Sequence, residues 1–227
     1  VMRLRGVIFD VDGTLVDSQA DILAAMAGAF EAEGLSAPSR DAVLGIVGLS
    51  LDVAIPMLAP TCDHAACTRM VQGYKDAYAG LRRLQGADVS SPLYSGAREA
   101  LLSLKEQDEV LLGVATGKSR RGLDKLIEAH GLDGIFLTQQ VADDHPSKPN
   151  PSMILQAMWD LGVEACDTVM IGDTSFDMDM ATAAGVSFIG VAWGYHEVAR
   201  LAGADVVIED FAQLEGALET VWSKTDV

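Results

Sequence analysis

The sequence predicts an α/β protein: a parallel sheet with helices on both faces, and an all-helical block inserted into it. Three observations carry this. From about residue 93 onward, short runs rich in Val and Ile alternate with amphipathic stretches, the pattern of strand–helix–strand units. One more such run, Val7-Ile8-Phe9, stands alone near the start. Between the two lies a long stretch, from residue 19 to about 83, that reads as helix throughout.

The elements follow in order. Val7-Ile8-Phe9 runs straight into Asp10 and reads as a buried strand. Ile22, Leu23, Met26 and Phe30 fall on one helical face, and Gly34 ends that helix. Pro38-Ser39 starts a second helix and Ser50 caps a third. Cys67, Met70, Val71, Tyr74, Tyr78 and Leu81 form the apolar stripe of a longer one, on which both tyrosines are read as packing. Residues 110–115 read as a strand, and 119–130 as a helix closed by Gly131. A short strand is expected at 135–137, and Asn150-Pro151 opens the next helix. Residues 169–172 form a strand, 175–184 a helix closed by Gly185, 186–191 and 205–208 two further strands, and 211–222 a last helix. The first strand belongs with the later ones. The expected division is therefore a core of residues 1–16 and 90–227 and a helical insert of residues 17–89.

Composition narrows the function. With 227 residues, 49% of them apolar, the chain can bury a large core. Its net charge of −17 offers no basic stripe for nucleic acid. Any anionic ligand must therefore meet a locally positive site. The cysteines (Cys62, Cys67 and Cys166) are odd in number and form no Cys-x-x-Cys, which fits reduced thiols and a cytoplasmic protein. No apolar run is long enough to span a bilayer, and no signal segment is expected ahead of the first strand.

The run Asp10-Val11-Asp12-Gly13-Thr14 is the most informative. Side chains two apart on an extended chain point the same way, so Asp10 and Asp12 are expected to converge. Two carboxylates repel unless a cation or a proton lies between them, and a hard cation, Mg²⁺ first, suits oxygen donors. The competing reading is an Asp-Gly turn. In open α/β sheets ligands bind beyond the carboxyl ends of the strands. Those ends carry Thr116-Gly117-Lys118-Ser119, then Lys148 between prolines, then Gly172-Asp173-Thr174-Ser175-Phe176-Asp177. Each has a plain structural alternative: Asp173 or Thr116 as a helix cap, Lys148 as a solvated lysine, Asp177 as a helix-dipole partner. His145, Asp179, Arg82 and Arg83 are read as surface residues. The run 113–119 is not an ATP-binding P-loop, because three residues rather than four separate its glycines and Leu112 occupies the required glycine position.

Taken in order, these motifs resemble those of the haloacid dehalogenase superfamily of hydrolases. Asp10-Val11-Asp12-Gly13-Thr14 is similar to the first family motif, Thr116 to the second, Lys148 to the third, and Gly172-Asp173 with Asp177 to the fourth. Gly48-Leu49-Ser50-Leu51 and Leu93-Tyr94-Ser95-Gly96-Ala97 resemble the phosphoglycolate-phosphatase-like branch. Thr116-Gly117-Lys118 departs from the Thr-Asn-Lys frequent there. The resemblance implies a Rossmann-like core with a helical cap, and a small phosphorylated metabolite as substrate. It implies that Asp10 attacks phosphorus and that Asp12 acts as general acid and base. Mg²⁺ would be held by Asp10, Asp173 and the main-chain carbonyl of Asp12. Thr116, the Gly117 N–H and Lys148 would bind phosphate, with Asp177 supporting Lys148 or a metal-bound water. A sugar phosphomutase on the same core would carry a cap arginine near Gly48-Leu49-Ser50, where none stands. A phosphonate hydrolase would need a cap lysine, and Lys75 is the only one. Pyrophosphate hydrolysis and a non-catalytic binding role complete the alternatives, and monomer and homodimer stay open.

Overall fold

The computed structural model describes residues 3–225. Its centre is a six-stranded sheet whose paired neighbours are all parallel, made of β1 (Arg5–Phe9), β2 (Val110–Thr116), β3 (Thr138–Val141), β4 (Thr168–Gly172), β5 (Ser187–Val191) and β6 (Val206–Ile208), in the order β3-β2-β1-β4-β5-β6. The order reverses at β1, which lies between β2 and β4. In register, Phe9 stands beside Val114 on one side and Ile171 on the other. The residues that follow β1, β2 and β4 therefore come to one edge, at the switch point where such sheets bind ligands.

Strand alternation separates two apolar layers. Val7 and Phe9 face one side with Leu112, Val114 and Ile171. That side is covered by α6 (Ala97–Lys105), α7 (Arg120–His130) and α10 (Leu214–Thr225). Ile8 faces the other side with Met170 and Phe188, under α8 (Ser152–Leu161) and α9 (Ser175–Ala184).

The helical insert comprises α1 (Gln19–Ala32), α2 (Arg40–Leu44), α3 (Leu51–Leu58), α4 (His64–Gln85) and α5 (Ala87–Ser90). It has an apolar cluster of its own, with Ile22, Met26 and Phe30 of α1 against Cys67 and Met70 of α4. Its two connections run side by side: Val16 bridges to Leu93, and the Asp17 N–H donates to Pro92 O at 2.9 Å. No helix among the described residues is long and apolar enough to cross a membrane.

Two expectations needed correction. The third strand is 138–141, not 135–137; Ile135 and Phe136 are buried, but as loop residues plugging the core. The strand itself is polar, because Thr138 and Gln140 both donate to Asp160 Oδ2 on α8. Ser50 occupies the N-cap position of α3 without a side-chain cap; its N–H instead donates to Ser147 Oγ at 2.9 Å.

Candidate active site

Asp10 follows β1 and is almost fully buried. Its Oδ1 accepts a hydrogen bond from Lys148 Nζ at 2.7 Å, and the same ammonium donates to Asp177 Oδ1 at 2.7 Å. Lys148 is itself buried, which excludes the alternative of a solvated lysine. Burial works against its ammonium, yet the flanking carboxylates of Asp10 and Asp177 outweigh it and raise the Lys148 pKa. Asp177 is held from behind. It is the third residue of α9 and forms a capping box with Thr174, whose N–H and Oγ1 donate to Asp177 Oδ2 at 3.0 and 2.7 Å. It thus both caps the helix and fixes Lys148.

Asp173 follows β4 and is fully buried. Its Oδ1 accepts from Thr14 Oγ1 at 3.0 Å and its Oδ2 from the Tyr195 N–H at 2.7 Å. Two glycines make room for it. A Cβ at Gly13 (φ +84°) would stand 2.2 Å from Asp173 Oδ2, and one at Gly194 would stand 2.0 Å from Asp173 Cβ. Asp10, Asp173 and Asp177 bring carboxylate oxygens within 4.8 Å of one another. Three carboxylates face one ammonium there, so the excess charge must be met by protons or by a cation. Burial pushes the Asp10 carboxyl up to about 7, with Asp177 and Asp12 adding to the rise and Lys148 opposing it. Burial, Asp10 and Asp177 likewise push Asp173 well above the usual carboxylate range. Asp10 Oδ2 is buried and has no hydrogen-bond partner among the described residues. An all-oxygen donor set with one orphaned acceptor suits a hard divalent cation such as Mg²⁺.

Asp12 leaves the cluster. The chain turns after Phe9, and the Asp12 carboxylate pairs with Lys118 Nζ at 2.7 Å and accepts from Ser18 Oγ. Its side chain does not join the three-carboxylate group, which leaves its main-chain carbonyl for any role toward a metal. Asp10 and Asp12 nevertheless line the same cavity. The sequence pattern around Lys118 assigns it no role, yet it is the partner of Asp12. Burial disfavours its ammonium, but Asp12 outweighs burial and the pKa is raised. Lys118 Nζ also lies 5.2 Å from the Tyr78 ring centroid. Ser18 and Tyr195 were missed as well. The Ser18 N–H donates to Tyr195 Oη at 2.9 Å, so one tyrosine links the start of the helical insert to Asp173.

Thr116 ends β2, and its Oγ1 accepts from the Lys118 N–H at 3.1 Å; the cap of α7 is Ser119. At Gly117 a Cβ would meet Gly48 O at 2.6 Å, so the helical insert lies directly on this turn. Further cap–core bonds run from His196 Nε2 to Gly45 O at 3.1 Å and from Arg82 Nη1 to Gly122 O at 3.0 Å. Between the two parts lies a cavity of about 910 Å³, reaching from Asp10 and Asp12 past Thr116, Gly117 and Lys118 to Tyr78 and Arg82. Arg83 and Asp179 are exposed, as expected, but Arg82 is half-buried, which corrects the reading of a solvated side chain. His145 is tied to Ser152 Oγ and Gln140 Oε1, each at 2.8 Å, and stays outside the site.

The family model for haloacid dehalogenase-like hydrolases matches residues 7–191. The chain belongs to this family. Among haloacid dehalogenase-like relatives, it is 36% identical over 216 residues to a probable phosphatase, IndB, of Dickeya dadantii, covering 93% of this chain and 92% of that one. It is 30% identical over 220 residues to a phosphoglycolate phosphatase of Pectobacterium atrosepticum, covering 93% and 91%. A hydrolase from Pseudomonas syringae superposes with a TM-score of 0.82 at 25% identity, covering 95% of this chain and 98% of that one. The Asp10 and Asp173 turns and the Lys148 loop all fall within the matched residues.

Proposed function

We propose that this protein is a Mg²⁺-dependent phosphatase that hydrolyses a small phosphomonoester through an aspartyl phosphate on Asp10, with 2-phosphoglycolate the first substrate to try. The observation that carries the reading is the pair of differently held carboxylates: Asp10 buried with one oxygen unpaired, and Asp12 on the same cavity wall, held by Lys118 and Ser18. Relatives with phosphatase names across nearly the whole chain support it.

In this reading Asp10 attacks phosphorus while the ester P–O bond breaks, and Asp12, in its protonated form, gives its proton to the departing alkoxide. Water then attacks phosphorus. Asp12 takes its proton, the Asp10–phosphorus bond breaks, and inorganic phosphate leaves. Lys148 holds Asp10 in place and lessens its repulsion of the incoming anion. The Thr116 hydroxyl, the Gly117 N–H and Lys148 hold phosphoryl oxygens. The phosphate also competes with Asp12 for the Lys118 ammonium. Asp10, Asp173 and the Asp12 carbonyl would hold Mg²⁺, which, when bound, supplies positive charge against the transferring phosphoryl group. The cap contact at Gly117 excludes bulk water.

The test is phosphate release from a panel of small phosphoesters, 2-phosphoglycolate among them, with Mg²⁺ present. The wild type is run beside Asp10→Asn. Release by the wild type that falls to background in the variant is the expected result. Equal release by both would remove Asp10 from its role.

A further inference from the structure

Arg82 stands in the last turn of α4, where the cap meets the core. Its Nη1 is tied to Gly122 O, and its guanidinium lies 5.0 Å from the Tyr78 ring centroid. Its Nε and Nη2 are buried and have no hydrogen-bond partner among the described residues. These two nitrogens form one edge of the guanidinium, the edge that takes two oxygens of a carboxylate side by side. The same protein shows that edge in use: Arg69 Nε and Nη2 hold Glu33 Oε1 and Oε2 at 2.8 and 2.7 Å. At Arg82 no carboxylate among the described residues fills the part. Asp21 is the buried carboxylate that feels both Arg82 and Lys118, but its Oδ2 accepts from Ser90 Oγ, and the Arg82 edge stays unmet.

The cavity is less acidic than the protein around it. Its lining carries six lysines and arginines, Arg82 and Lys118 among them, against six carboxylates, in a protein whose net charge is −17. Lys118 and Arg82 both lie near Tyr78, so the route from the Asp10–Asp12 end of the cavity to the Arg82 edge is short. The cavity is thus asymmetric: phosphoryl chemistry at the sheet edge, and an unpaired two-donor edge at the cap end.

We propose that Arg82 is a specificity residue whose Nε–Nη2 edge binds a carboxylate of the substrate, so that the preferred esters are phosphorylated hydroxy acids with a few carbons between the two anionic groups. This rests on the phosphatase reading above. A second phosphoryl group offers the same two-oxygen edge, and the experiment separates the two.

The experiment measures kcat/KM for phosphorylated hydroxy acids of two to four carbons, for alkyl phosphates of the same lengths, and for alkyl bisphosphates. Wild type, Arg82→Gln and Arg82→Lys are compared, with thermal melting as the check on folding. The wild type should prefer the acids to the alkyl phosphates by at least about tenfold, and both variants should lower that ratio by at least about tenfold. Lysine keeps the charge but loses the fork, so Arg82→Lys tests the edge even if Arg82→Gln unfolds. A ratio that does not move in a folded variant overturns the proposal, as does a wild type that treats acids and alkyl phosphates alike. A preference for bisphosphates, lost in the variants, overturns the carboxylate assignment. A wild type that cleaves no ester of any class overturns the phosphatase reading itself, which is a different outcome.

Discussion

Replacing Lys148 by Met tests the charge arrangement at the nucleophile. Methionine keeps much of the length and removes the ammonium. Lys148 Nζ lies 2.7 Å from both Asp10 and Asp177, and its side chain is fully buried. Removing one partner of a buried ion pair costs about 3–5 kcal/mol, because the remaining charge is left uncompensated. The pH dependence is more diagnostic. In the wild type the Asp10 carboxyl is raised to about 7 even with Lys148 opposing the rise. Without Lys148 it lies higher still. Above pH 7 the folded variant then holds a proton that the folded wild type has released. The unfolded chain holds none at that pH, so the variant loses stability relative to the wild type by about 1.4 kcal/mol per pH unit, up to its own higher value. Below pH 7 Asp10 is protonated in both proteins and the difference is flat. Urea unfolding in EDTA, at several pH values from 6 to 9, measures this. A deficit near 3–5 kcal/mol at pH 8 that widens with pH is expected. A deficit that is constant or shrinks above pH 7 would refute the assignment of Lys148 as the ammonium that keeps Asp10 ionised.

Other consequences are as direct. Asp10 and Asp173 have carboxyls raised by burial, so in EDTA they favour the folded state below about pH 4 and lose that contribution as pH climbs toward their folded values, about 7 for Asp10. Thermal melting should show the wild type losing more stability than Asp10→Asn across that window, with millimolar Mg²⁺ reducing the loss; identical slopes would contradict this. Gly117→Asn places a Cβ 2.6 Å from Gly48 O and must push the cap segment away. A several-fold rise in KM with the melting temperature nearly kept is expected, and an unchanged KM would mean that the cap does not bear on this turn during catalysis.

Much of this site was legible because ligand-bearing residues sit where predicted strands stop. Asp10, Thr116 and Asp173 each follow or end a strand whose apolar run is plain, and the strand order brings them together. Residues 135–137 misled because apolar character marks burial, not strand: Ile135 and Phe136 fill the core from a loop, while β3 carries Thr138 and Gln140 bound to Asp160. The parallel directions expected for Asp10 and Asp12 assume an extended chain, but β1 ends at Phe9. Asp177 had two readings, helix partner and support for Lys148, and both hold because its two oxygens do different work. Lys118 and Arg82 were opaque for another reason. Their partners, Asp12 and the Gly122 carbonyl, are distant in the chain, and only the seating of the cap on the core brings them close.

The most direct test of the account is to look for the phosphorylated enzyme. An Asp12→Asn variant, given Mg²⁺ and a radiolabelled aryl phosphate whose leaving group needs little protonation, should accumulate acid-precipitable label, since the water step lacks its base. Peptide mapping should place that label on Asp10, and Asp10→Asn should take up none. Label on another residue, or rapid turnover by the wild type with no trapped phosphoenzyme in the Asp12→Asn variant, would contradict the covalent mechanism.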